Sequence, residues 1–336
     1  MSQFRVPVVQ ISKVGKHPNA DSLSITQVEG CPVIFKTGGF EPGDLAVYVP
    51  VDSVVSVDRP EFAWLKTKEG QSKVRIKAKK LRGIFSMGLL VPLKGLFDDR
   101  SRFEVGQDLA ADLKIEKYEE DTPIHMNTGN EHCPWAMPVY DMESYRKFKG
   151  DLVLGEKVMV TEKIHGCNGR FMYKEGRLWV GSHRTVKLRD EHNLWWGVAQ
   201  EHKLEEKLAP HPGLVLYGEV YGNVQDLKYD CKPGEARFAA FDIFDSTQGR
   251  WLDVDEFFTF CLNNSIPTVP ILYEGPYLPE VVEPLADGKS TIAGHIREGW
   301  VIKPWVYRES QNTGSRVILK LVSEAYLLRK DGSEHH

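Results

Sequence analysis

Val158-Met159-Val160-Thr161-Glu162-Lys163-Ile164-His165-Gly166-Cys167-Asn168-Gly169 runs from a short apolar strand through a lysine into a turn with two glycines. A lysine at that place has its amine where a ligand can meet it. An amine that attacks phosphorus must first lose its proton, which free lysine holds to about pH 10.4. Neighbouring cations lower that value and expose the nucleophile. By itself, Lys-x-His-Gly is a weak signal, because a surface lysine in a hairpin gives the same pattern.

Further runs follow in order. Gly181-Ser182-His183-Arg184-Thr185 has the spacing of the next hairpin, and Leu216-Tyr217-Gly218-Glu219-Val220 puts a carboxylate in an apolar strand. Phe238-Ala239-Ala240-Phe241-Asp242-Ile243-Phe244 is a strand with ring faces available. Arg297-Glu298-Gly299-Trp300-Val301-Ile302-Lys303 opens another strand on a carboxylate, and Val317-Ile318-Leu319-Lys320-Leu321 ends with a lysine inside apolar residues. A lysine in a strand interior is costly to bury unless something anionic meets it. Each residue also has an ordinary structural reading: Glu219 as an ion-pair member, Phe241 as core, Asp242 as a hydrogen-bonding support, Asn168 as a turn residue. Trp195, Trp196 and Tyr221 are expected to pack, and no histidine among His183, His192, His202 and His211 is assigned a role.

Around these runs, Val158–Thr161, Arg170–Tyr173, Leu178–Val180, Leu214–Tyr221, Phe238–Phe244, Trp300–Ile302 and Val317–Leu321 read as strands. Glu191–Leu208 and Val254–Asn263 read as helices. This half is α+β with antiparallel sheet, and it is assigned residues 151–332. Upstream, residues 116–150 look like a linker with a short helix over Tyr140–Phe148. Residues 1–115 are short apolar runs cut by turn signals, the text of a small β-barrel or sandwich. The last residues, Glu334-His335-His336, are set aside as a possible expression scar.

Composition agrees with a two-domain folded protein. The chain has 336 residues, 41% hydrophobic and 27% charged, which excludes a disordered or collagen-like chain. No apolar run approaches the ~20 residues needed to cross a bilayer, and the N-terminus lacks a signal peptide's apolar core. An intracellular, cytoplasmic protein without a membrane partner is expected. The five cysteines are odd in number and show no C-x-x-C pairing, so neither a disulfide framework nor a structural zinc site is supported. A net charge of −4 argues against a dedicated nucleic-acid binder. The distribution is uneven, however: Lys66, Lys68, Lys73, Arg75, Lys77, Lys79, Lys80 and Arg82 stand against a single Glu69. Such a run is ordinarily a solvated face, but here it abuts a β-like stretch.

Two resemblances rest on these residues. His17-Pro18-Asn19-Ala20-Asp21-Ser22-Leu23 together with Arg75-to-Gly88 resembles the OB-type barrel of stand-alone tRNA-binding domains, a fold that presents strands and loops to an oligonucleotide. The ordered runs from Lys163 to Lys320 resemble the motifs of the covalent nucleotidyltransferases, the polynucleotide ligases and mRNA-capping enzymes. Lys-x-His-Gly-x-Asn, and an OB-like domain ahead of the transferase, are most similar to the fifth RNA ligase family.

The resemblance implies an ATP-dependent RNA ligase, sealing 3′-OH/5′-phosphate nicks in RNA or RNA-containing duplex as a monomer. Lys163 would be the nucleophile that takes AMP from ATP. Glu162, Asn168, Arg184, Glu219, Phe241, Lys303 and Lys320 would bind ATP, with Phe241 stacking on adenine and Lys320 near the α-phosphate. Glu298 and Glu219 would hold Mg²⁺ or Mn²⁺, mostly through water. His165 stands where the family more often has Asp, which puts a metal role there in doubt, and Ile318 stands where relatives can carry a second lysine. Lys73, Arg75, Lys77, Lys79, Lys80 and Arg82 would contact nucleic-acid phosphates. Two other readings remain open at this point: an RNA-binding OB module with a nucleotide-sensing domain, and a GTP-dependent capping-type transferase.

Overall fold

Alternating apolar and polar residues make Leu23–Val28 and Cys31–Lys36 an antiparallel hairpin. Its two-residue turn, Glu29-Gly30, has positive φ at both positions (50° and 76°), as a type I′ turn requires. The hairpin belongs to a computed structural model that describes residues 4–97, 103–119, 129–190, 192–329 and 332–334. The chain divides into two compact units: residues 2–120 joined by 324–336, and residues 121–323.

In the first unit, small antiparallel sheets surround a core of Val6, Val8, Val47, Val49, Val55, Phe62, Ile76, Val91 and Leu109. The basic run occupies two elements. Lys73–Arg75 pairs with Ser53–Ser56, and Lys79–Leu81 pairs with Ile84–Ser86 through an Arg82-Gly83 turn at φ 45° and 88°. The His17-Pro18-Asn19 segment braces that hairpin. His17 Nε2 lies 3.1 Å from the Leu81 carbonyl, and Asn19 Nδ2 donates to the Arg82 carbonyl at 3.0 Å. Lys79, Lys80 and Arg82 are exposed.

Arg75 is placed differently from those three. Its guanidinium donates to Asp52 Oδ1 (2.5 Å and 2.9 Å) and to the Gly332 carbonyl (2.8 Å), and its Cζ lies 3.8 Å over the Tyr118 ring. Asp52, 1% exposed, also accepts from Ser333 Oγ and Glu334 N, each at 2.9 Å. Arg75 is therefore an internal tie rather than an outward cation, and residues 332–334 are part of the fold, while His335 and His336 lie outside the described residues. The expectation that Glu334 could be discarded is corrected: it is 6% exposed. Lys73 is paired with Glu116 at 2.7 Å, on the surface. Arg75→Ala is expected to destabilise this unit by roughly 3 kcal/mol, because it leaves Asp52 buried without its cation. Lys79→Ala is expected to change stability by less than about 0.5 kcal/mol. Thermal unfolding of the two variants checks the contrast.

The second unit is built on two sheets. Seven strands lie in the order Asn130–Glu131, Val186–Lys187, Arg177–Gly181, Cys167–Lys174, Leu214–Gly222, Ala236–Asp245 and Arg250–Trp251. The other sheet runs Glu143–Ser144, Leu319–Val322, Gly299–Pro304, Lys157–Lys163, Ile271–Pro276. All pairs are antiparallel except Glu143–Ser144 with Leu319–Val322.

Helices cover one face of the seven-stranded sheet, burying Phe171, Leu216 and Ile243 under Trp195, Leu204, Phe257 and Cys261. The single helix expected over Glu191–Leu208 is two, Leu194–Glu201 and Leu204–Leu208, broken where Lys203 takes φ 52°. Asn193 caps the first by accepting from the amides of Trp195 and Trp196. The opposite sheet face packs Met172, Val215 and Tyr217 against Ile318 and Val301, so that the two sheets face each other.

The expected linker is also corrected. Residues 120–128 lie outside the described residues, but 129–150 pack into the second unit. Tyr140 donates to Asp242 at 2.8 Å, Tyr217 donates to the Pro138 carbonyl, and Tyr145 bonds Tyr277 and Glu283. Aromatic residues spaced through a Pro-containing segment looked like loop text, yet the hydroxyls of Tyr140 and Tyr145 find their partners more than 100 residues away in sequence. Among the described residues, no helix is long and apolar enough to cross a membrane. None of the five cysteines is joined in a disulfide.

Candidate active site

Strand alternation decides which side chains enter the space between the sheets. Cross-strand partners Thr161, Val301 and Lys320 share a face, and so do Met159 with Lys303 and Lys163 with Gly299. That face looks toward the seven-stranded sheet, where Asn168 and Glu219 are direct cross-strand partners. Lys163 and Lys320 thus form one wall, and Asn168 and Glu219 the other.

Two glycines let the backbone come this close. A Cβ on Gly299, opposite Lys163, would lie 2.0 Å from the Leu321 carbonyl oxygen. A Cβ on Gly166 would lie 2.4 Å from the Val220 carbonyl oxygen and 3.0 Å from Glu219 Cγ. A side chain at Gly166 would push the lysine turn off the Glu219 strand, and one at Gly299 would part its strand from Leu319–Val322.

At the centre is a buried ion pair. Lys163 Nζ donates to Glu298 Oε1 at 2.5 Å, with the side chains 9% and 0% exposed. The second carboxylate oxygen, Glu298 Oε2, is buried and has no hydrogen-bond partner. His165 lies beside it, Nδ1 3.8 Å from Glu298 Oε2, while Nε2 lies 2.7 Å from Asp226 Oδ1. The Glu219 carboxyl is pushed up to about 8, chiefly by burial; the Glu298 charge adds to this, against the pull of Lys163. Two carboxylates therefore crowd one lysine, with one buried oxygen unsatisfied, a donor set that hard cations prefer. Among the described residues, no three His, Cys, Asp or Glu side chains converge to ligate an ion directly.

The remaining expected residues fall at different places. Lys320 is buried on the lysine wall. Phe241 is the extra residue of a bulge, since Tyr217 pairs with Asp242 and the next residue, Gly218, with Ala240. Bulges re-aim side chains, and this ring lies 4.6 Å from that of Tyr140. Glu162 alternates to the face opposite Lys163, where it accepts from Thr291 N and Oγ1 (2.8 Å and 2.6 Å). Arg184 is exposed in the turn before Val186.

Lys303 stands apart from the centre. It is four residues along its strand from Gly299, about 13 Å at the usual rise. Its Nζ lies 3.1 Å from Asp242 Oδ2 and 3.2 Å from the Phe241 carbonyl, inside a buried network completed by Arg316 and Tyr140.

A segment that the sequence reading passed over grips the lysine turn. Gln225 Nε2 donates to the Gly166 carbonyl at 2.8 Å, and His165 N donates to Tyr229 Oη at 2.6 Å, alongside the Asp226 contact. Asn223-to-Glu235 reads as an ordinary polar loop, and only its fold over the turn shows its use.

This constellation can be set beside known proteins. Residues 156–322 match the RNA ligase family model, and residues 5–93 match an OB-fold domain model. The second unit is thus similar to RNA ligases. Solved structures agree along nearly the whole length. Naegleria gruberi RNA ligase with PPi is 25% identical at a TM-score of 0.80, over 96% of this chain and 97% of that one. A single-residue mutant of the same ligase with ATP and Mn is 24% identical at a TM-score of 0.82, over 96% of this chain and 98% of that one. Another mutant, with AMP and Mn, gives 24% and 0.80, over 96% and 97%. No curated protein sequence matches. The unit that matches the RNA ligase model is thus preceded by an OB-fold domain, and the fold is mixed α+β with mostly antiparallel sheets.

Proposed function

We propose that the chain is an ATP-dependent RNA ligase of the fifth RNA ligase type, joining a 3′-OH end to a 5′-phosphate end at a nick. The observation that carries this reading is the buried Lys163–Glu298 pair at the centre of the site, faced by Glu219. Lys163 Nζ, once its proton is given up, attacks the α-phosphorus of ATP. The N–P bond forms, the bond from the α-phosphorus to the bridging oxygen breaks, and pyrophosphate leaves. A 5′-phosphate oxygen of RNA then displaces the lysine, which gives an AMP-capped end. Finally the 3′-OH attacks that end and AMP departs.

Phosphoryl transfer of this kind is mostly positioning and charge neutralisation. Lys320 neutralises the α-phosphate, Asn168 and Glu219 line the facing wall, and Phe241 offers a ring to the adenine. Mg²⁺ or Mn²⁺, held by Glu298 and Glu219 through water, would add charge neutralisation on the phosphates. Holding Lys163 against Glu298 before ATP arrives keeps the amine positioned and shielded from other reactions.

The OB-fold unit would carry the duplex. Phosphate contacts position a nucleic acid without reading it, and exposed lysines and arginines supply them. Lys79, Lys80 and Arg82 on the braced hairpin, with Lys77 beside it, fit that task; Arg75 does not, because it is committed to Asp52. Neutralising Lys79, Lys80 and Arg82 together is expected to weaken sealing of every duplex, by about 10-fold at 0.1 M salt, and to flatten its salt dependence by up to three counterions. Sealing rates across a salt series measure both, and an unchanged slope would remove the hairpin from the interface.

The test of the reading is incubation with α-labelled ATP or GTP, denaturing electrophoresis, and then nicked duplexes with ribose or deoxyribose at the 3′-OH. Label from ATP on the protein, chased into sealed RNA, is the expected result. Label from GTP alone would point to capping-type chemistry, and no label from either would leave a binding module.

A further inference from the structure

We propose that Asp226 is a positioning residue for the nucleophile, acting through His165; this rests on the ligase reading above. The carboxylate lies 2.7 Å from His165 Nε2, and the ring is held in a buried place, 3% exposed. A carboxylate only accepts, so at this distance it selects the tautomer that carries its hydrogen on Nε2. Nδ1 is then a lone pair facing Glu298 Oε2 at 3.8 Å and donates nothing to it.

That choice matters because Glu298 also holds the lysine. With the opposite tautomer, His165 would present Nδ1–H toward Glu298 Oε2, the oxygen that Lys163 leaves unpaired, and a carboxylate so polarised would be a weaker acceptor for the lysine. With Nε2–H fixed by Asp226, the full acceptor strength of Glu298 stays with Lys163 Nζ, 2.5 Å away. The ring's backbone is pinned independently: His165 N donates to Tyr229 Oη, and the next carbonyl accepts from Gln225. The imidazole has therefore little freedom besides its tautomer and its tilt, and those are what Asp226 sets. Position 165 is where the chain carries His in place of Asp. The acidic group comes instead from the 223–235 segment, one ring further out, and its side chain is 35% exposed.

Three variants of the full-length chain test this. Asp226→Asn keeps shape and one acceptor oxygen but can also donate, so it no longer selects Nε2–H; Asp226→Ala removes the contact; Asp226→Glu restores a carboxylate. Loss of such an outer partner of a functional histidine is ordinarily felt at about 10–100-fold. The first two are expected to slow adduct formation by about that factor at saturating ATP, with KM for ATP within about twofold, and Asp226→Glu to recover part of the rate. Long-range ¹H–¹⁵N spectra, with His165 assigned by the signal absent from His165→Gln, should show Nε2–H in the unmodified chain and a mixed or reversed tautomer in Asp226→Asn.

An Asp226→Asn protein that adenylates at the unmodified rate, or an unmodified chain with hydrogen on Nδ1, overturns the inference. If the unmodified chain forms no adduct with ATP, the ligase reading fails instead, and the spectra still decide whether Asp226 sets the ring.

Discussion

Lys163→Arg is expected to remain folded and to lose all covalent labelling by ATP, a fall of roughly 10³-fold or more in adduct formed. Arginine keeps the positive charge that Glu298 requires, so the buried pair survives. Its guanidinium stays protonated at any working pH and is a poor nucleophile. Lys163→Ala should lose labelling equally, but it also leaves Glu298, whose side chain is 0% exposed, without its cation. Part of any defect in that variant would therefore be stability. The arginine variant separates the two effects. Melting temperature and gel labelling, measured on the same preparations, check the expectation; a labelled Lys163→Arg protein would show that the nucleophile lies elsewhere.

The largest stability effect is expected at Asp242. Its carboxylate is fully buried and accepts from Arg316 (2.6 Å), Lys303 (3.1 Å) and Tyr140 (2.8 Å). Burial alone would raise its carboxyl, but Arg316 and Lys303 together hold it below the usual carboxylate range. The Arg316 guanidinium also lies 4.2 Å over the Trp251 ring. Asp242→Ala strands two buried cations between the sheets and should cost about 3–5 kcal/mol, lowering the melting temperature by roughly 10 °C.

The sign with pH follows from the depressed value. The unfolded chain takes up the proton near pH 3.9, so this carboxylate contributes its stability above that pH and loses it as pH falls through the lower folded value. In Asp242→Ala that part of the acid unfolding should vanish. Urea melts from pH 7 down to pH 3 measure it, and identical pH profiles would show that the network contributes no linkage.

Much of the site was legible in the sequence because it lies in strands. Period-two alternation places Lys163 and Lys320 on a definite face once the strands are recognised, and Glu219 and Phe241 announce themselves as a charged and an aromatic residue inside apolar runs. Asp242 as a hydrogen-bonding support was legible too, as a lone carboxylate inside an apolar strand. The bulge at Phe241 was not, because a bulge is a mismatch between two strands and neither strand carries it alone.

What sequence alone determined was the inventory: a lysine-ended strand, carboxylates and lysines in a fixed order, and a basic run ahead of them. Composition and alternation are properties of the chain itself, so they can be read without its fold. Tertiary structure alone decided the pairings. Arg75 became an internal tie to Asp52 and the chain terminus, Lys303 joined Asp242 away from Lys163, and residues 129–150 became packed structure instead of linker. A charged side chain is written identically whether it meets solvent, a phosphate or a buried carboxylate. Which of these it meets depends on groups far away in sequence — Arg75 and Gly332 are 257 residues apart — and only folding brings them within hydrogen-bond distance.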